Sequence, residues 1–315
     1  MLNTVLFDMG GTLEDIWNNQ ETQAKAMDAL QKTLRAHGLE PGCSPEEFDR
    51  RVMAGLKEYK RWSEGLELEK KPEEIWPDYY LKEFGFDREK LIPITEELAN
   101  LWEVTYYHRE LRGDVLETLE ALKARGYHIG IISNNASLYN VFNMLEEYGI
   151  RGCMEDVTVS SVTGYRKPHP EIFRISLRQM QTTAENCVYV GDTISRDIIG
   201  AKQAGFGKAV QIVITEALNH FNKNRIRCQF FSKILIQIEE CSIVVVKTNV
   251  YRNTILESCQ NCTDGCLLGR ICDGAGNLFI VQEYDDLILI YNLICCIAFS
   301  NLPVWSGRCL CICFA

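Results

Sequence analysis

The sequence lacks an excess of positive charge. Its 315 residues include 33 lysines and arginines against 43 aspartates and glutamates, which gives a formal net charge of −10. Binding to a phosphate backbone needs clustered basic side chains, so this balance argues against a nucleic-acid surface. We therefore expect no nucleic-acid partner, and we expect any anionic ligand to be held by local geometry.

Cysteine is scarce over most of the chain. Only Cys43, Cys153 and Cys187 lie in the first 227 residues, and the other eleven of the 14 cysteines lie in residues 228–315. Charge changes at the same point, because only 13 of the 76 charged residues fall in that last segment. The chain thus consists of two segments that differ in composition. We treat residues 221–315 as a Cys-rich extension of unknown role and uncertain structure, and the composition leaves open that it is not a native domain.

The extension has no standard metal motif. Cys259, Cys262, Cys266 and Cys272 contain only one Cys-x-x-Cys pair and have no histidine nearby, so they fit no usual zinc or iron–sulfur ligand set.

Long apolar runs and a secretory signal are also lacking. The apolar run at residues 287–299 is shorter than the roughly 20 residues of a membrane span, and no membrane association is expected. Residues 1–7 carry no basic group, and Asp8 interrupts the apolar run that follows the start. We expect a cytoplasmic protein, in a compartment where disulfides are rare.

Short apolar segments alternate with helix-length amphipathic segments from residue 114 onward. The predicted helices lie at 114–125, 138–148, from 170, and 195–204, and the predicted strands lie at 4–8, 127–133, 156–160, 187–191 and 208–214. Helices that separate short buried strands are typical of a parallel sheet with helices on both faces. The sequence therefore predicts an α/β fold with a Rossmann-like, doubly wound parallel sheet. In the extension, residues 234–238, 243–246 and 278–281 have β character.

A helical block interrupts this alternation after the first strand. Amphipathic stretches at 21–37, 45–62, 72–84 and 96–110 predict helices, and no strand is expected among them. We interpret residues 19–110 as a helical cap inserted into a core made of residues 1–18 and 111–220.

Candidate site residues lie near the ends of the predicted strands of the core and at the start of one helix. They are Asp8, Gly10 and Thr12 after the first strand, Ser133 and Asn134 after the second, Lys167 before a helix, and Asp192 and Asp197 after the fourth. A carboxylate can attack phosphorus, hydroxyl and amide groups can hold phosphoryl oxygens, and a lysine can neutralise the charge of the transferring group. Further carboxylates can hold Mg²⁺. This set can hydrolyse an anionic ester.

These residues also carry a family resemblance. The segments 7–13 (Phe-Asp-Met-Gly-Gly-Thr-Leu), 132–134 (Ile-Ser-Asn), 164–173 and 190–197 are similar to the four motifs of the haloacid dehalogenase-like hydrolase superfamily, in the branch with a helical cap after the first motif. The resemblance covers about residues 1–215. It implies a Rossmann-like core, an aspartate nucleophile, Mg²⁺ and a cap that closes over a small phosphorylated substrate.

The resemblance also implies roles for single residues. Asp8 corresponds to the nucleophile, Ser133 and Lys167 to the groups that bind the transferring phosphoryl group, and Thr12 and Asn134 to further substrate contacts. Asp8, Asp192 and the backbone carbonyl of Gly10 correspond to metal ligands, and Asp197 supports the metal site.

Gly10 departs from the family pattern. Phosphatases of this superfamily have a second aspartate there, which protonates the leaving group and later activates water, and such groups are worth roughly 10² to 10⁴ in rate. Three interpretations stay open. The protein hydrolyses esters with good leaving groups or borrows an acid from the cap, it cleaves a carbon–halogen or carbon–phosphorus bond, or it binds a phosphorylated ligand with weak or no turnover. Because Asp192 and Asp197 complete a magnesium set that dehalogenases do not need, we expect a Mg²⁺-dependent phosphatase.

The cap has two groups of side chains that could contact a substrate. They are Lys57, Tyr59, Lys60, Arg61 and Trp62 in one group, and Trp76, Tyr79 and Tyr80 in the other. Aromatic residues at helical spacing usually pack in a core and such charges usually face solvent, so we favour those roles. The substrate's identity and the oligomeric state stay open.

Overall fold

A parallel sheet forms the centre of the predicted α/β core. The computed structural model describes residues 2–213 and a strand at 243–247. The strands are β1 (Thr4–Phe7), β2 (Glu14–Trp17), β3 (His108–Leu111), β4 (His128–Ser133), β5 (Asp156–Val159), β6 (Cys187–Gly191), β7 (Lys208–Val213) and β8 (Ile243–Lys247). Among these residues the main sheet has the order β5-β4-β1-β6-β7-β8, with parallel neighbours throughout.

The first strand lies inside this sheet and sets the position of the site. Phe7 pairs with Ile131 of β4 on one side and with Val190 of β6 on the other. All four residues of β1 are buried, as expected for a strand covered on both faces. Because the three strands are parallel and in this register, their carboxyl ends meet at one edge of the sheet.

Helices cover both faces of the sheet and form the inserted block. They are α1 (Gln20–Ala36), α2 (Pro45–Leu66), α3 (Pro72–Ile75), α4 (Arg88–Leu91), α5 (Thr95–Thr105), α6 (Val115–Ala124), α7 (Asn140–Glu147), α8 (Ser160–Thr163), α9 (Pro170–Gln179) and α10 (Ile199–Gln203). Short 3-10 turns lie at Lys82–Phe84, Ile92–Ile94, Arg151–Cys153 and Ala184–Asn186, and single π-helical turns lie at Trp76–Tyr80 and Ile194–Ile198.

The two faces of the sheet have separate hydrophobic clusters. On one face, Val5 and Phe7 of β1 pack with residues of α6 and α7, including Leu119 and Leu145. On the other face, Leu6 packs with Phe173 of α9 and with residues of α10. This alternation confirms the predicted doubly wound, Rossmann-like α/β sheet.

The inserted helices have a core of their own. Leu30 of α1, Phe48 of α2 and Leu98 of α5 are fully buried in one cluster with Trp76 and Trp102. Ser44 caps α2, since its side chain accepts a hydrogen bond from the Glu47 N–H, and Pro45 occupies the first helical position. The predicted inserted helical cap is therefore confirmed.

The predicted helix at 96–110 is wrong at its end. Helix α5 stops at Thr105, and β3 follows as a strand antiparallel to β2. The expectation of no strand in this block was therefore also wrong. The pairing is stabilised by an ion pair between the Arg109 guanidinium and the buried Glu14 carboxylate and by stacking of His108 on Trp17, with ring centroids 4.5 Å apart. These contacts join residues far apart in sequence, so helical periodicity does not reveal them.

The predicted helix at 72–84 is broken into short turns. Helix α3 continues into the π turn Trp76–Tyr80, where the Leu81 N–H donates to the Trp76 carbonyl at 2.8 Å. Pro77 has no N–H to donate, so the α-helical hydrogen-bond ladder is interrupted there.

The structure tests only part of the predicted extension. The predicted β segment at 243–246 is confirmed as β8. The predicted β segments at 234–238 and 278–281, the apolar run at 287–299 and the cysteines at 259–272 lie outside the described residues. Within residues 2–213 and 243–247, no helix has the length and apolar character needed to cross a bilayer.

Candidate active site

Asp8 lies directly after β1 at the edge where the strands end. Its backbone N–H donates to the Val190 carbonyl at 2.8 Å, which continues the sheet pairing by one residue. Its carboxylate Oδ1 accepts a hydrogen bond from the Met9 N–H at 2.8 Å, and the residue is only 7% exposed. The carboxylate is therefore held in a fixed direction and largely shielded from water.

Lys167 connects this carboxylate to a second one. Its Nζ lies 2.7 Å from Asp8 Oδ1 and 2.7 Å from Asp197 Oδ1, and it donates to the Tyr189 hydroxyl at 2.9 Å. Asn134 holds the lysine's backbone, because its Oδ1 accepts from the Lys167 N–H at 2.8 Å and its Nδ2 donates to the Lys167 carbonyl at 3.0 Å. In this structure Asn134 thus positions Lys167.

Burial and charge act together on these groups. Burial raises the pKa of Asp8 above its ordinary value; the Lys167 ammonium opposes the rise, and Asp197 and Asp192 add to it. Burial raises the pKa of Asp192 as well, and the neighbouring Asp197 adds to that rise. For Lys167, burial by itself lowers the pKa, but Asp197 and Asp8 more than offset it, so the pKa is raised and the ammonium keeps its charge.

Three carboxylates form a cluster that could hold a metal ion. Asp8, Asp192 and Asp197 each offer an oxygen, and these oxygens lie within 4.8 Å of one another. Gly11 allows this approach, because a Cβ on it would collide with Asp192 Oδ2 and its φ of +82° suits glycine. A cluster of hard oxygen donors fits Mg²⁺ by its chemistry.

Within that cluster, Asp197 already has partners for both oxygens. Its Oδ1 faces Lys167 and Tyr189, and its Oδ2 accepts a hydrogen bond from the Thr193 N–H at 2.9 Å. Asp192 has a hydroxyl donor in Thr193 at 3.0 Å on Oδ1. The other oxygen of Asp192 faces the Gly10–Gly11 turn.

Ser133 and Thr12 stand near this edge of the sheet in different ways. Ser133 is the last residue of β4, the strand that pairs with β1, and it is 5% exposed. Thr12 is fully buried, and its Oγ1 has no hydrogen-bond partner among the described residues. The Thr12 hydroxyl is thus a buried polar group without a partner in the described part of the chain.

Gly10 faces a carboxylate that the sequence analysis did not single out. A Cβ placed on Gly10 would lie 3.7 Å from Glu14 Oε1 and 3.6 Å from Ile16 Cγ2. Glu14 is fully buried, forms an ion pair with Arg109, and accepts a hydrogen bond from the Tyr148 hydroxyl at 2.8 Å. Burial raises the pKa of Glu14, although Arg109 opposes the rise.

Tyr189 is the second residue that sequence analysis missed. It lies fully buried in β6, where its hydroxyl contacts Lys167 and Asp197. A usable signal was present, because Tyr189 is the one polar group in the apolar strand 187–191, two residues before Gly191.

The cap contacts the core next to Lys167. The buried Glu69 carboxylate forms an ion pair with Arg166 and hydrogen bonds with the Tyr59 hydroxyl and with Ser160 Oγ, the last at 2.9 Å. The backbone agrees with this contact, since the Arg166 N–H donates to the Glu67 carbonyl at 2.9 Å. A second contact joins Glu96 of α5 to residues 137–139, the loop after β4.

A cleft of roughly 350 Å³ lies between the cap and the core. Its lining residues are Ser63, Glu64 and Glu67 from the cap and Arg166, Lys167, Pro168, Ser195 and Arg196 from the core. The cap residues considered from sequence lie elsewhere: Tyr59, Trp76 and Tyr80 are buried in the cap core, Trp62 and Tyr79 are half-buried, and Lys57, Lys60 and Arg61 are exposed.

The fold and the site define a class of protein. A Rossmann-like sheet with an inserted helical cap, an aspartate after the first strand, a buried lysine beside it and two more aspartates after β6 characterise a haloacid dehalogenase-like hydrolase. The model of that family, described as haloacid dehalogenase-like hydrolase, matches residues 2–205. The chain belongs to this family and is a hydrolase of it.

Individual relatives agree with this assignment. The chain is 27% identical over 205 residues to a glyceraldehyde 3-phosphate phosphatase of Methanopyrus kandleri, an alignment that covers 65% of this chain and 82% of the relative. It is 32% identical over 111 residues to a phosphoglycolate phosphatase of Colwellia psychrerythraea, covering 35% and 48%. The crystal structure of a 2-haloacid dehalogenase from Pseudomonas syringae matches with a TM-score of 0.50 and 21% identity, covering 82% and 99%, which supports the fold.

Proposed function

We propose that this protein is a Mg²⁺-dependent phosphatase of a small phosphorylated metabolite and that it works through an aspartyl-phosphate at Asp8. The observation that carries the proposal is the contact of the Asp8 carboxylate with the buried Lys167 ammonium, 2.7 Å away, inside a cluster of three carboxylates. The names of the phosphatase relatives support a small phosphorylated substrate.

The carboxylate cluster supports a proposal for the metal ligands. We assign Asp8, Asp192 and the Gly10 carbonyl as ligands. Asp197 has its oxygens engaged with Lys167 and the Thr193 N–H, so it orients these groups. When bound, Mg²⁺ supplies positive charge that offsets the charge of the phosphoryl oxygens.

The remaining steps belong to the side chains. An Asp8 oxygen forms a bond to phosphorus as the ester P–O bond breaks, and the leaving oxygen departs with the bonding electrons and takes a proton from water. Lys167 stabilises the charge on the transferring group, and the hydroxyls of Ser133 and Thr12 donate to its oxygens. Asn134 keeps Lys167 in place and offers its amide to the substrate. Water then attacks phosphorus, which releases phosphate and restores the Asp8 carboxylate.

Because residue 10 is glycine, protonation of the leaving group limits the rate of the reaction. No side chain at this position can provide the proton, so substrates whose leaving groups depart as stable anions are favoured. The same feature favours a second candidate function, the binding of a phosphorylated ligand with little turnover. Hydrolysis of a carbon–halogen or carbon–phosphorus bond is the further alternative.

Hydrolysis of an activated aryl phosphate tests this proposal. We expect turnover with Mg²⁺, loss of turnover on chelation, and loss by at least about a thousandfold in Asp8→Asn. The matched control is Asp28→Asn, which alters an exposed carboxylate on α1 that pairs with Lys32. Turnover that is equal with and without Mg²⁺, or equal in Asp8→Asn and the native protein, contradicts the proposal. Binding of inorganic phosphate without turnover supports the second candidate, and release of halide from a haloacid supports the third.

A further inference from the structure

The cleft beside Lys167 has two walls of different charge. Lys167 lines it and also touches Asp8, so the cleft lies next to the proposed phosphoryl site. The core wall carries the basic residues Arg166, Lys167 and Arg196, and the cap wall carries Glu64 and Glu67 at the end of α2. A substrate bound at Asp8 would extend its leaving group between these walls.

Each basic residue of the core wall already has a partner within the chain. Lys167 lies between Asp8 and Asp197, and Arg166 forms its ion pair with Glu69. Arg196 donates to Thr193 Oγ1 at 2.9 Å, and its positive charge acts on the neighbouring Asp192. Lys167 and Arg196 therefore place positive charge beside the carboxylate cluster, and the charge of Arg166 is compensated by a cap carboxylate.

The cap wall is negative where it faces the rest of the cleft. Glu64 is exposed, and its 3.7 Å contact with the exposed Lys60 is a kind of pair that neutralises little; its charge also acts on Arg166 across the cleft. Glu67 is fixed against the core, because its carbonyl accepts the Arg166 N–H at 2.9 Å. The C-terminal end of α2 adds partial negative charge to the same wall.

We propose that Glu64 and Glu67 form a leaving-group subsite that accepts hydroxyl or amine groups and rejects a second anion. This inference rests on the proposed phosphatase function and names its substrate class: phosphomonoesters of uncharged, hydroxyl-bearing or amine-bearing alcohols. Carboxylates accept hydrogen bonds from hydroxyl and ammonium groups, and they repel a carboxylate or a second phosphate at short range. Discrimination of this kind comes from the repulsive contact as much as from the attractive one.

A pair of substrates that differ at one carbon tests the subsite. Glycerol 3-phosphate and 3-phosphoglycerate differ by a hydroxymethyl group in place of a carboxylate. With the full chain and saturating Mg²⁺, we expect kcat/KM for glycerol 3-phosphate to exceed that for 3-phosphoglycerate by at least about tenfold, because two carboxylates face the added charge. In Glu64→Gln/Glu67→Gln we expect this ratio to fall by about tenfold.

The control variant is Glu120→Gln, which removes one exposed carboxylate from α6 of the core, and we expect it to leave the ratio unchanged. A native ratio near one, a preference for 3-phosphoglycerate, or a ratio that the double variant leaves unchanged overturns the subsite. If neither ester nor an aryl phosphate is hydrolysed, the phosphatase function fails separately. Calorimetric affinities of the same two esters then decide the subsite by the same tenfold criterion.

Discussion

At the scale of single residues, Lys167 is the group on which the site depends. Its side chain is almost completely buried and compensates two carboxylates, Asp8 and Asp197, each 2.7 Å from its Nζ. A buried ion pair is tolerated when its members are matched and hydrogen-bonded, and removal of one partner leaves an uncompensated charge. The stability of the fold therefore depends on this residue, to which the proposed function also assigns a role.

Replacement of the lysine should destabilise the fold in a pH-dependent way. In Lys167→Met, the buried Asp8 loses the ammonium that opposes the rise of its pKa on burial, so its folded-state pKa stays above the unfolded value of about 3.9 and the cost grows as pH rises through the folded pKa. We expect a loss of about 3 to 5 kcal/mol in the free energy of unfolding at pH 8 and a smaller loss at pH 5. Urea denaturation without divalent ions measures both. Lys32→Met, at an exposed pair on α1, serves as the control; an equal loss at the two pH values contradicts the account.

Gly10→Asp should restore the missing acid. The position has room, since a Cβ there meets its nearest atoms at 3.6 to 3.7 Å, and its φ is not positive. The nearby Glu14 carboxylate would raise the pKa of the new aspartate and so favour the proton-bearing form. We expect kcat for glycerol 3-phosphate to rise by at least about tenfold, and kcat for an activated aryl phosphate to rise less, because an aryl oxide leaves without a proton.

Gly10→Asn is the matched control for this variant, since it has the same shape and no acidic proton. An equal gain in both variants, or no gain in Gly10→Asp with either substrate, shows that protonation of the leaving group does not limit the reaction.

The motif residues could be identified from sequence because they follow strands whose ends meet. Asp8, Asp192 and Lys167 were expected together, and the structure brings them together. Glu14 and Tyr189 could not be identified in the same way. Glu14 lies near Gly10 because of the turn between them, and it pairs with Arg109, which is far away in sequence. The polar group of Tyr189 in an apolar strand was a usable signal, but its partners Lys167 and Asp197 come from outside that strand.

At the scale of elements, the cap is joined to the core through a few polar contacts. Glu69 and Arg166 form a buried ion pair among these, supported by Tyr59 and Ser160. Arg166 also precedes Lys167 in the chain and lines the cleft. This contact therefore joins the cap to the segment that carries Lys167, the lysine that contacts Asp8.

A double-mutant cycle should reveal an energetic coupling between Glu69 and Arg166. Arg166→Met leaves Glu69 buried without a counter-charge, and we expect a loss of about 3 to 5 kcal/mol in the free energy of unfolding. Glu69→Gln/Arg166→Met should lose less than the sum of the two single variants, because no charge is left unpaired. Urea denaturation measures the three variants against Arg174→Met, which breaks an exposed pair with Glu171. Additive losses contradict the coupling.

Sequence periodicity identified the buried strands and the amphipathic helices of the core and missed strands β2 and β3. The strands and helices of the core were expected because buried strands and amphipathic helices have strong periods. Strand β2 has the sequence Glu-Asp-Ile-Trp and β3 has His-Arg-Glu-Leu, and neither shows an apolar run. Their stability comes from pairing with each other and from the Arg109–Glu14 contact, which are tertiary interactions.

At the scale of the whole molecule, the site's residues come from segments spread from Asp8 to Asp197, and the family match covers residues 2–205. A ligand that binds this assembled cluster and not the unfolded chain must stabilise the fold as a whole. The net charge of −10 gives no general attraction for an anionic ligand, so under the proposed function Lys167 and a bound cation would supply it locally.

Mg²⁺ should therefore raise the melting temperature, and more strongly at higher pH. The metal needs deprotonated ligands, and burial raises the pKa of Asp8 and of Asp192, so protons compete more strongly as pH falls. We expect a larger shift in Tm with 5 mM Mg²⁺ at pH 8 than at pH 5.5. Asp192→Asn should abolish the shift and Asp28→Asn should keep it. A shift that is independent of pH contradicts the assignment of these ligands.

Trapping of the phosphoenzyme tests the central claim most directly. The protein is mixed with Mg²⁺ and an activated aryl phosphate, and borohydride is added to reduce any aspartyl-phosphate to homoserine, which peptide mass spectrometry locates. The account predicts homoserine at residue 8, dependent on substrate and on Mg²⁺, and absent in Asp8→Asn. Sustained turnover with residue 8 still aspartate, or with the modified residue elsewhere, would contradict it.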